Sequence, residues 1–433
     1  MVSQDELAVL TLGPCRHLSP LPMSTEPDDG IGDFVLDDER VLLDIRLRAG
    51  SAPASLAFER AGARQQIFFD PPKTRSAIVT CGGLCPGLNN VIRTLVFELT
   101  VNYGVREVVG IRYGYRGLNR EAAVPPIVLT GPLVEDIHHK GGTLLGTSRG
   151  GHDLKLSVDF LVETGIDILF CVGGDGTQRG AHAIAAEVAR RKLPIAVVGI
   201  PKTIDNDIKY CERTFGFMTA VAEAETVIDR AHSEAISAPN GVGLVKLMGR
   251  EAGFIAAGAT IASGEVNFTL IPEVPFQLDG EQGLLAKLQR RLAARHHAVI
   301  VVAEGAGQAL LPEYHAACDA SGNRRLGDVG TFLKEQINGY FKERRVPVDV
   351  KYFDPSYYIR SCPANTVDSL LCEQLARNAA HAAMAGKTDV LIGLVHMEFV
   401  HVPLMQSVGQ KKRLSPESDW WTSVMAITGQ DKW

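Results

Sequence analysis

The stretch Asp167-Ile-Leu-Phe-Cys-Val-Gly-Gly-Asp-Gly-Thr-Gln-Arg-Gly180 sets an unbroken apolar run directly against glycines that surround one aspartate. An apolar run without polar alternation reads as a strand buried on both faces, the condition of a parallel sheet covered by helices. The residues that follow, Ala181-His-Ala-Ile-Ala-Ala-Glu-Val-Ala189, carry a helical pattern. The same texture occurs upstream, where Ala77-Ile-Val-Thr-Cys81 passes through Gly82-Gly83 into Asn89-Asn-Val-Ile-Arg-Thr-Leu-Val-Phe97. Further apolar runs stand at Ile195 to Ile200, Val242 to Leu247, Ala298 to Ala303 and Val390 to Leu394. Strands alternating with helices predict an α/β fold of two Rossmann-like lobes with mostly parallel sheets. Ligands gather at the carboxyl ends of such strands, so the active site is expected there, between the lobes.

A chain of 433 residues exceeds the size at which one hydrophobic core stops growing, which agrees with two lobes. Residues 1–73 show no clear period and end at Asp70-Pro-Pro-Lys73, where the prolines remove backbone donors. They read as an N-terminal extension, 74–400 as the core and 401–433 as a C-terminal segment. Hydrophobic residues make up 45%, charged residues 22%, and the net charge is -6, which leaves no basic footprint for nucleic acid. An anionic substrate must therefore be met by local positive charge. The absence of a long uncharged apolar run, and of basic and apolar regions at the N-terminus, predicts a soluble, cytoplasmic protein without a membrane partner. The eight cysteines are scattered; Cys81 and Cys85 lack the second pair or histidines of a zinc site, so reduced and mostly buried thiols are expected. Asn323-Arg-Arg325 and Lys411-Lys-Arg413 read as solvated basic surface.

Glycine at a strand end lets the backbone approach a ligand, and the helix that follows offers free N–H groups to an anion. Gly82-Gly83 and Gly173-Gly-Asp-Gly-Thr177 thus point to a phosphate-bearing ligand, although either alone could be a tight turn. Asp175 would repel a bare phosphate, which makes sense if its carboxylate holds a Mg²⁺ bridged to phosphate oxygens; an N-cap or turn role is the plainer reading. Neither G-x-x-x-x-G-K-[ST] nor a G-x-G-x-x-G fingerprint after a first strand is present. In Lys202-Thr-Ile-Asp-Asn-Asp207 two carboxylates stand just beyond the strand Ile195 to Ile200. In phosphoryl transfer to an alcohol one carboxylate can accept the hydroxyl proton while cations hold the departing charge; a polar turn is the alternative.

Seven segments occur in one order over residues 76 to about 400: TCGGLCPGLNNVIR from Thr80, GGTLLGTSRGG from Gly141, GGDGT from Gly173, PKTIDNDI from Pro201, MGREAGFIA from Met248, PEVPF from Pro272 and KYFDPSYYIRS from Lys351. Together they resemble the 6-phosphofructokinase family. The long N-terminal extension, Lys202 and the pattern Tyr357 to Arg360 resemble its long subgroup, which includes plant ATP enzymes and pyrophosphate enzymes. The resemblance implies a nucleotide site at Gly83, Tyr115, Arg149, Gly150, Gly174, Asp175, Gly176 and Thr177, with Asp175 on Mg²⁺. It implies Asp205 as the base, Thr203 and Arg149 near the transferring group, and Asp207 placing the sugar or orienting Asp205. Sugar-phosphate contacts fall to Thr203, Ile204, Asp205, Met248, Gly249, Arg250, Glu273, Tyr357, Tyr358, Ile359 and Arg360; for Glu273 a capping role is the alternative. Gly176 and Lys202 would set donor specificity.

The implied activity moves the γ-phosphoryl group of ATP to the 1-hydroxyl of fructose 6-phosphate in glycolysis, by an allosteric homo-oligomer, dimer or tetramer. Alternatives are the same transfer from pyrophosphate, a non-catalytic regulatory subunit, and a lipid or NAD kinase, in which GGDGT also occurs. Departures from the short bacterial enzymes stand at Leu84, Lys202 and Asn240-Gly241, so cross-subunit completion of the sugar site and the identity of effectors do not carry over.

Overall fold

The computed structural model describes residues 3–46, 49–50, 56–122, 124–148, 150, 153–311 and 325–431. The chain forms two compact units, each built from separated stretches. The first holds Met1–Thr203, Ile208–Gly216 and Cys362–Lys411; the second holds Ile204–Asp207, Phe217–Ser361 and Lys412–Trp433.

In the first unit, Val390–Val395, Ala196–Pro201, Ile168–Gly173, Arg75–Thr80 and Glu107–Ile111 lie side by side as parallel neighbours. The strands Ile168–Gly173, Ala196–Pro201 and Val390–Val395 are buried at every position, as runs without polar alternation require. Register matters more for function. Thr80 pairs with Val172, and Val172 pairs with Ile200, so three neighbouring strands end flush and release their loops at one edge. One face of the sheet packs on Val158, Leu161, Ile184 and Val188, supplied by the helices Leu154–Glu163 and Asp175–Arg190.

Antiparallel strands finish both sides of the sheet: Glu398–Pro403, Ala57–Arg60 and Arg40–Leu42 on one, Ile127–Val128 on the other. Residues 1–73 therefore add edge strands to the first unit, and Glu398–Pro403 crosses position 400 within one strand. Short edge pieces have too few residues to display a period, which is why this region reads as featureless.

The second unit has a four-stranded parallel sheet in the order Phe268–Leu270, His297–Ala303, Gly241–Leu247, Asp349–Phe353. Its core joins Val242, Leu244, Leu270, Ile300 and Val302 to Leu288, Ile337 and Phe341 of the helices Leu284–Arg295 and Val329–Glu343. Seven cysteines are free among the described residues, five of them buried. Burial pushes the Cys81 thiol up to about 12, so it stays protonated and inert. Of Asn323-Arg-Arg325, the first two lie outside the described residues.

Candidate active site

Asp175 opens the helix Asp175–Arg190 immediately after the strand Ile168–Gly173, with Gly174 as the N-cap. The expected acidic loop is thus a one-residue junction. Gly173 is demanded by close packing, since a Cβ there would lie 2.1 Å from Thr177 Oγ1. Gly176 is the opposite case: it is exposed, and a Cβ would meet nothing within 4 Å. Arg179 Nη2 donates to Asp175 Oδ2 at 2.8 Å and the Gly409 N–H donates to Oδ1 at 3.0 Å. A carboxylate in the first turn is favoured by the helix dipole. No cluster of three or more His, Cys, Asp or Glu suited to a metal exists among the described residues. A lone carboxylate beside glycines fits Mg²⁺, which keeps waters and substrate phosphates as its other ligands, and does not fit a protein-caged metal.

Tyr115 was expected to line this site. Its ring is buried and its hydroxyl donates to the Thr177 carbonyl at 2.6 Å, so Tyr115 holds the first turn of the helix. Burial lifts its pKa well above the ordinary phenol value. Thr147 Oγ1 donates to the Gly82 carbonyl at 2.6 Å and the Gly82 N–H donates to the Ser148 carbonyl at 3.1 Å, stapling the loop before Gly150 to the first glycine pair. Gly150 is exposed at φ +82°; Arg149 lies outside the described residues.

Lys202 is buried and ties the strand ends together. Its N–H donates to the Gly173 carbonyl at 3.1 Å and its Nζ to the Gly83 carbonyl at 2.7 Å. Beyond it burial alternates: Ile204, Asn206 and Ile208 are buried, while Thr203, Asp205 and Asp207 are only partly so. The segment turns at Ile204-Asp205 and passes through Asn206 in the left-handed region at φ +54°, so a tight loop, pinned by the buried side chains, leaves Thr203, Asp205 and Asp207 partly exposed. Thr214 Oγ1 donates to the Thr203 carbonyl at 2.7 Å, and the Lys412 N–H donates to the Asp207 carbonyl at 2.9 Å.

Lys411-Lys-Arg413 is therefore more than solvated surface, the role expected from its charge. Arg413 is exposed, 3.4 Å from Glu251, but the backbone around it is docked on motif residues: Gly409 on Asp175, Lys411 bridged to Ile208, Lys412 on Asp207 and Leu414 on Glu273.

In the second unit Met248, Gly249 and Arg250 follow the strand Gly241–Leu247. Gly305 makes the close approach that shapes this turn, because a Cβ there would lie 1.9 Å from the Arg250 carbonyl oxygen. Glu273 accepts the Gly253 N–H at 3.0 Å on each oxygen and the Leu414 N–H at 2.8 Å. It thus caps the helix Phe254–Ser263. Tyr357 and Tyr358 are exposed, and the Arg360 guanidinium lies 4.7 Å from the Tyr357 ring centroid. Ile359 is fully buried, so its side chain anchors the turn and any contact with a sugar phosphate would fall to its backbone.

The sequence reading missed Glu304. It follows the strand His297–Ala303 and precedes Gly305, the same strand-carboxylate-glycine signature that marks Asp175. Burial pushes its carboxyl up, and Arg250, Lys246 and Arg360 pull part of that back, so one carboxylate stands among three cations.

The phosphofructokinase family profile matches residues 75–383. The ATP-dependent 6-phosphofructokinase of Borreliella burgdorferi is 45% identical, with 97% of this chain and 96% of the relative aligned. That of Amycolatopsis methanolica is 45% identical over 98% of this chain and 95% of its own. Among solved structures, the pyrophosphate-dependent phosphofructokinase of Marinobacter aquaeolei matches with a TM-score of 0.67 at 19% identity, covering 83% of this chain and 92% of that one. Pichia pastoris phosphofructokinase in the T-state matches with a TM-score of 0.63 at 22% identity, covering 88% of this chain and 39% of that one. These two likenesses bear on the fold. The family match and the near full-length relatives together establish that the chain belongs to the phosphofructokinase family.

Proposed function

We propose that the chain is a kinase that transfers the γ-phosphoryl group of ATP to the 1-hydroxyl of D-fructose 6-phosphate, giving fructose 1,6-bisphosphate in glycolysis. The observation that carries this reading is the flush ending of three neighbouring strands, whose loops bear Gly82-Gly83, Gly173 to Thr177 and Lys202 to Asp207, joined by Lys202. Glycine backbone and a helix N-terminus receive the donor's phosphates there. Mg²⁺ on Asp175 would offset charge on those phosphates when bound. Arg149 adds a fixed cation for the transferring group.

Asp205 takes the proton of the acceptor hydroxyl, and Asp207 and Thr203, partly exposed in the same loop, orient the base and the acceptor. Arg250 and Arg360 fork onto the sugar phosphate, and Glu304, held among cations, accepts a sugar hydroxyl. ATP is favoured as donor by the names of the full-length relatives and by the open space at Gly176. Pyrophosphate is the second reading, because a buried ammonium at Lys202 suits a small anionic leaving group. A cytoplasmic homo-oligomer completes the proposal.

Replacing Asp205 by Asn keeps size and removes basicity, so kcat should fall by roughly 10²- to 10⁴-fold with little change in the KM for fructose 6-phosphate. Steady-state kinetics of the purified variant decide the matter: retention of most of the wild-type kcat would remove Asp205 from the mechanism.

A further inference from the structure

Lys246 sits on the strand Gly241–Leu247 that leads into Met248-Gly-Arg250, and its side chain is only 15% exposed. Its Nζ lies 2.8 Å from Asp354 Oδ2 and 3.6 Å from Asp328 Oδ1. Asp354 follows the neighbouring strand Asp349–Phe353 and begins the turn that carries Tyr357 to Arg360, where it also accepts the Ser356 N–H at 3.2 Å. Asp328 caps the helix Val329–Glu343 through the Gly330 and Thr331 N–H groups, and Tyr352 donates to it at 3.4 Å. One ammonium thus joins the element that carries Arg250 to the element that carries Arg360. Burial pulls its pKa down, but Asp354, Tyr352 and Asp328 outweigh that, so Lys246 remains charged.

Stability alone does not account for this arrangement. An ammonium paired with carboxylates that are 39% and 51% exposed adds little net stability, because solvent screens the attraction. What the pair supplies is placement and charge sorting. Arg250, Arg360 and Lys246 all act on Glu304, and Asp354 acts on the same carboxyl with opposite sign, so these groups share one electrostatic neighbourhood. In that neighbourhood a carboxylate left without Lys246 would compete with an incoming phosphate for the guanidinium groups.

We propose that Lys246 is a positioning residue for binding of the sugar phosphate: it holds Asp354 and Asp328, fixes the two arginine-bearing elements to each other, and keeps both carboxylates from competing with the substrate's phosphate. The inference rests on the reading above that Arg250 and Arg360 receive that phosphate. It concerns side chains that touch protein groups and not the reacting atoms.

The test compares wild type with Lys246→Met, Asp354→Asn, the double variant and Lys246→Arg, each assayed for KM of both substrates and for fructose 6-phosphate binding by calorimetry without nucleotide. Lys246→Met should weaken fructose 6-phosphate binding about tenfold or more, the scale of losing a charge-assisted contact, while the KM for ATP stays within about twofold. Lys246→Arg should recover most of the loss, and the double variant should be no worse than the poorer single variant, because both remove the same link. Should Lys246→Met fail to fold, Asp354→Asn, at a side chain that is 39% exposed, breaks the link while removing one competing charge, and should still weaken fructose 6-phosphate binding, by less than Lys246→Met. Lower thermal stability with unchanged fructose 6-phosphate binding would overturn the proposal, as would single effects that multiply in the double variant. Arg250→Ala and Arg360→Ala tell the two levels apart. If they leave fructose 6-phosphate binding intact, the underlying site assignment fails and the inference with it; if they weaken it while Lys246→Met does not, the inference alone fails.

Discussion

A side chain at position 176 would project into open space, since a Cβ there meets no atom within 4 Å. Gly176→Asp should therefore fold, and its consequence should be electrostatic: a second carboxylate beside Asp175 would repel the α-phosphate of ATP, which pyrophosphate does not possess. ATP-dependent kcat/KM should drop by roughly 10²-fold or more while the melting temperature stays near wild type, checked by coupled assay and thermal unfolding. Undiminished ATP turnover would free position 176 of any part in donor choice. The placement of Asp175, Gly176 and Asp205 just beyond strand ends is legible in the sequence, because an apolar run that breaks at glycine and carboxylate marks where a strand stops. The packing of Tyr115, Ile359 and Glu273 is not, because the direction a side chain takes from its backbone depends on neighbours that a motif does not encode. Glu304 carried a readable signature and was overlooked for want of a longer motif around it.

In the helix Thr366–Met384, His381 is buried, with Nδ1 2.9 Å from the Tyr103 hydroxyl and 3.8 Å from Glu98 Oε1. Burial, reinforced by Arg377 and Arg64, lowers its pKa to about 3, so the folded protein holds it neutral. The unfolded chain titrates near the ordinary histidine value and binds more protons between those two values. Stability from this group is thus complete above about pH 6.5 and is lost as pH falls below it. Between pH 7 and pH 5 the loss amounts to about 2 kcal/mol. Glu98 works against it, since burial raises its carboxyl, so the comparison with a variant is what isolates His381. His381→Gln should remove that part of the acid slope in chemical denaturation at the two pH values; an unchanged slope would assign the acid sensitivity elsewhere. The strands and their parallel pairing could be read from unbroken apolar runs. The edge strands of residues 1–73 could not, because two to four residues cannot show a period.

For the whole molecule, the sequence pointed to two α/β lobes, while the stretches that make up each unit follow from contacts far apart in sequence. Ile204–Asp207 groups with the second unit although Thr203 and Ile208 on either side group with the first. A net charge of -6 leaves the handling of anionic substrates to local cations, and Lys202, Arg250 and Arg360 stand on the motif segments where those anions are proposed to bind. No helix among the described residues is long and apolar enough to cross a membrane. The central claim is the donor and the acceptor of one phosphoryl transfer, and a single assay addresses both. Purified protein with fructose 6-phosphate and saturating Mg²⁺ is given either ATP or pyrophosphate, and formation of fructose 1,6-bisphosphate is followed. Turnover with ATP should be roughly 1–100 s⁻¹, typical of kinases, with little or none from pyrophosphate. Faster turnover with pyrophosphate than with ATP, or none with either, would contradict that claim.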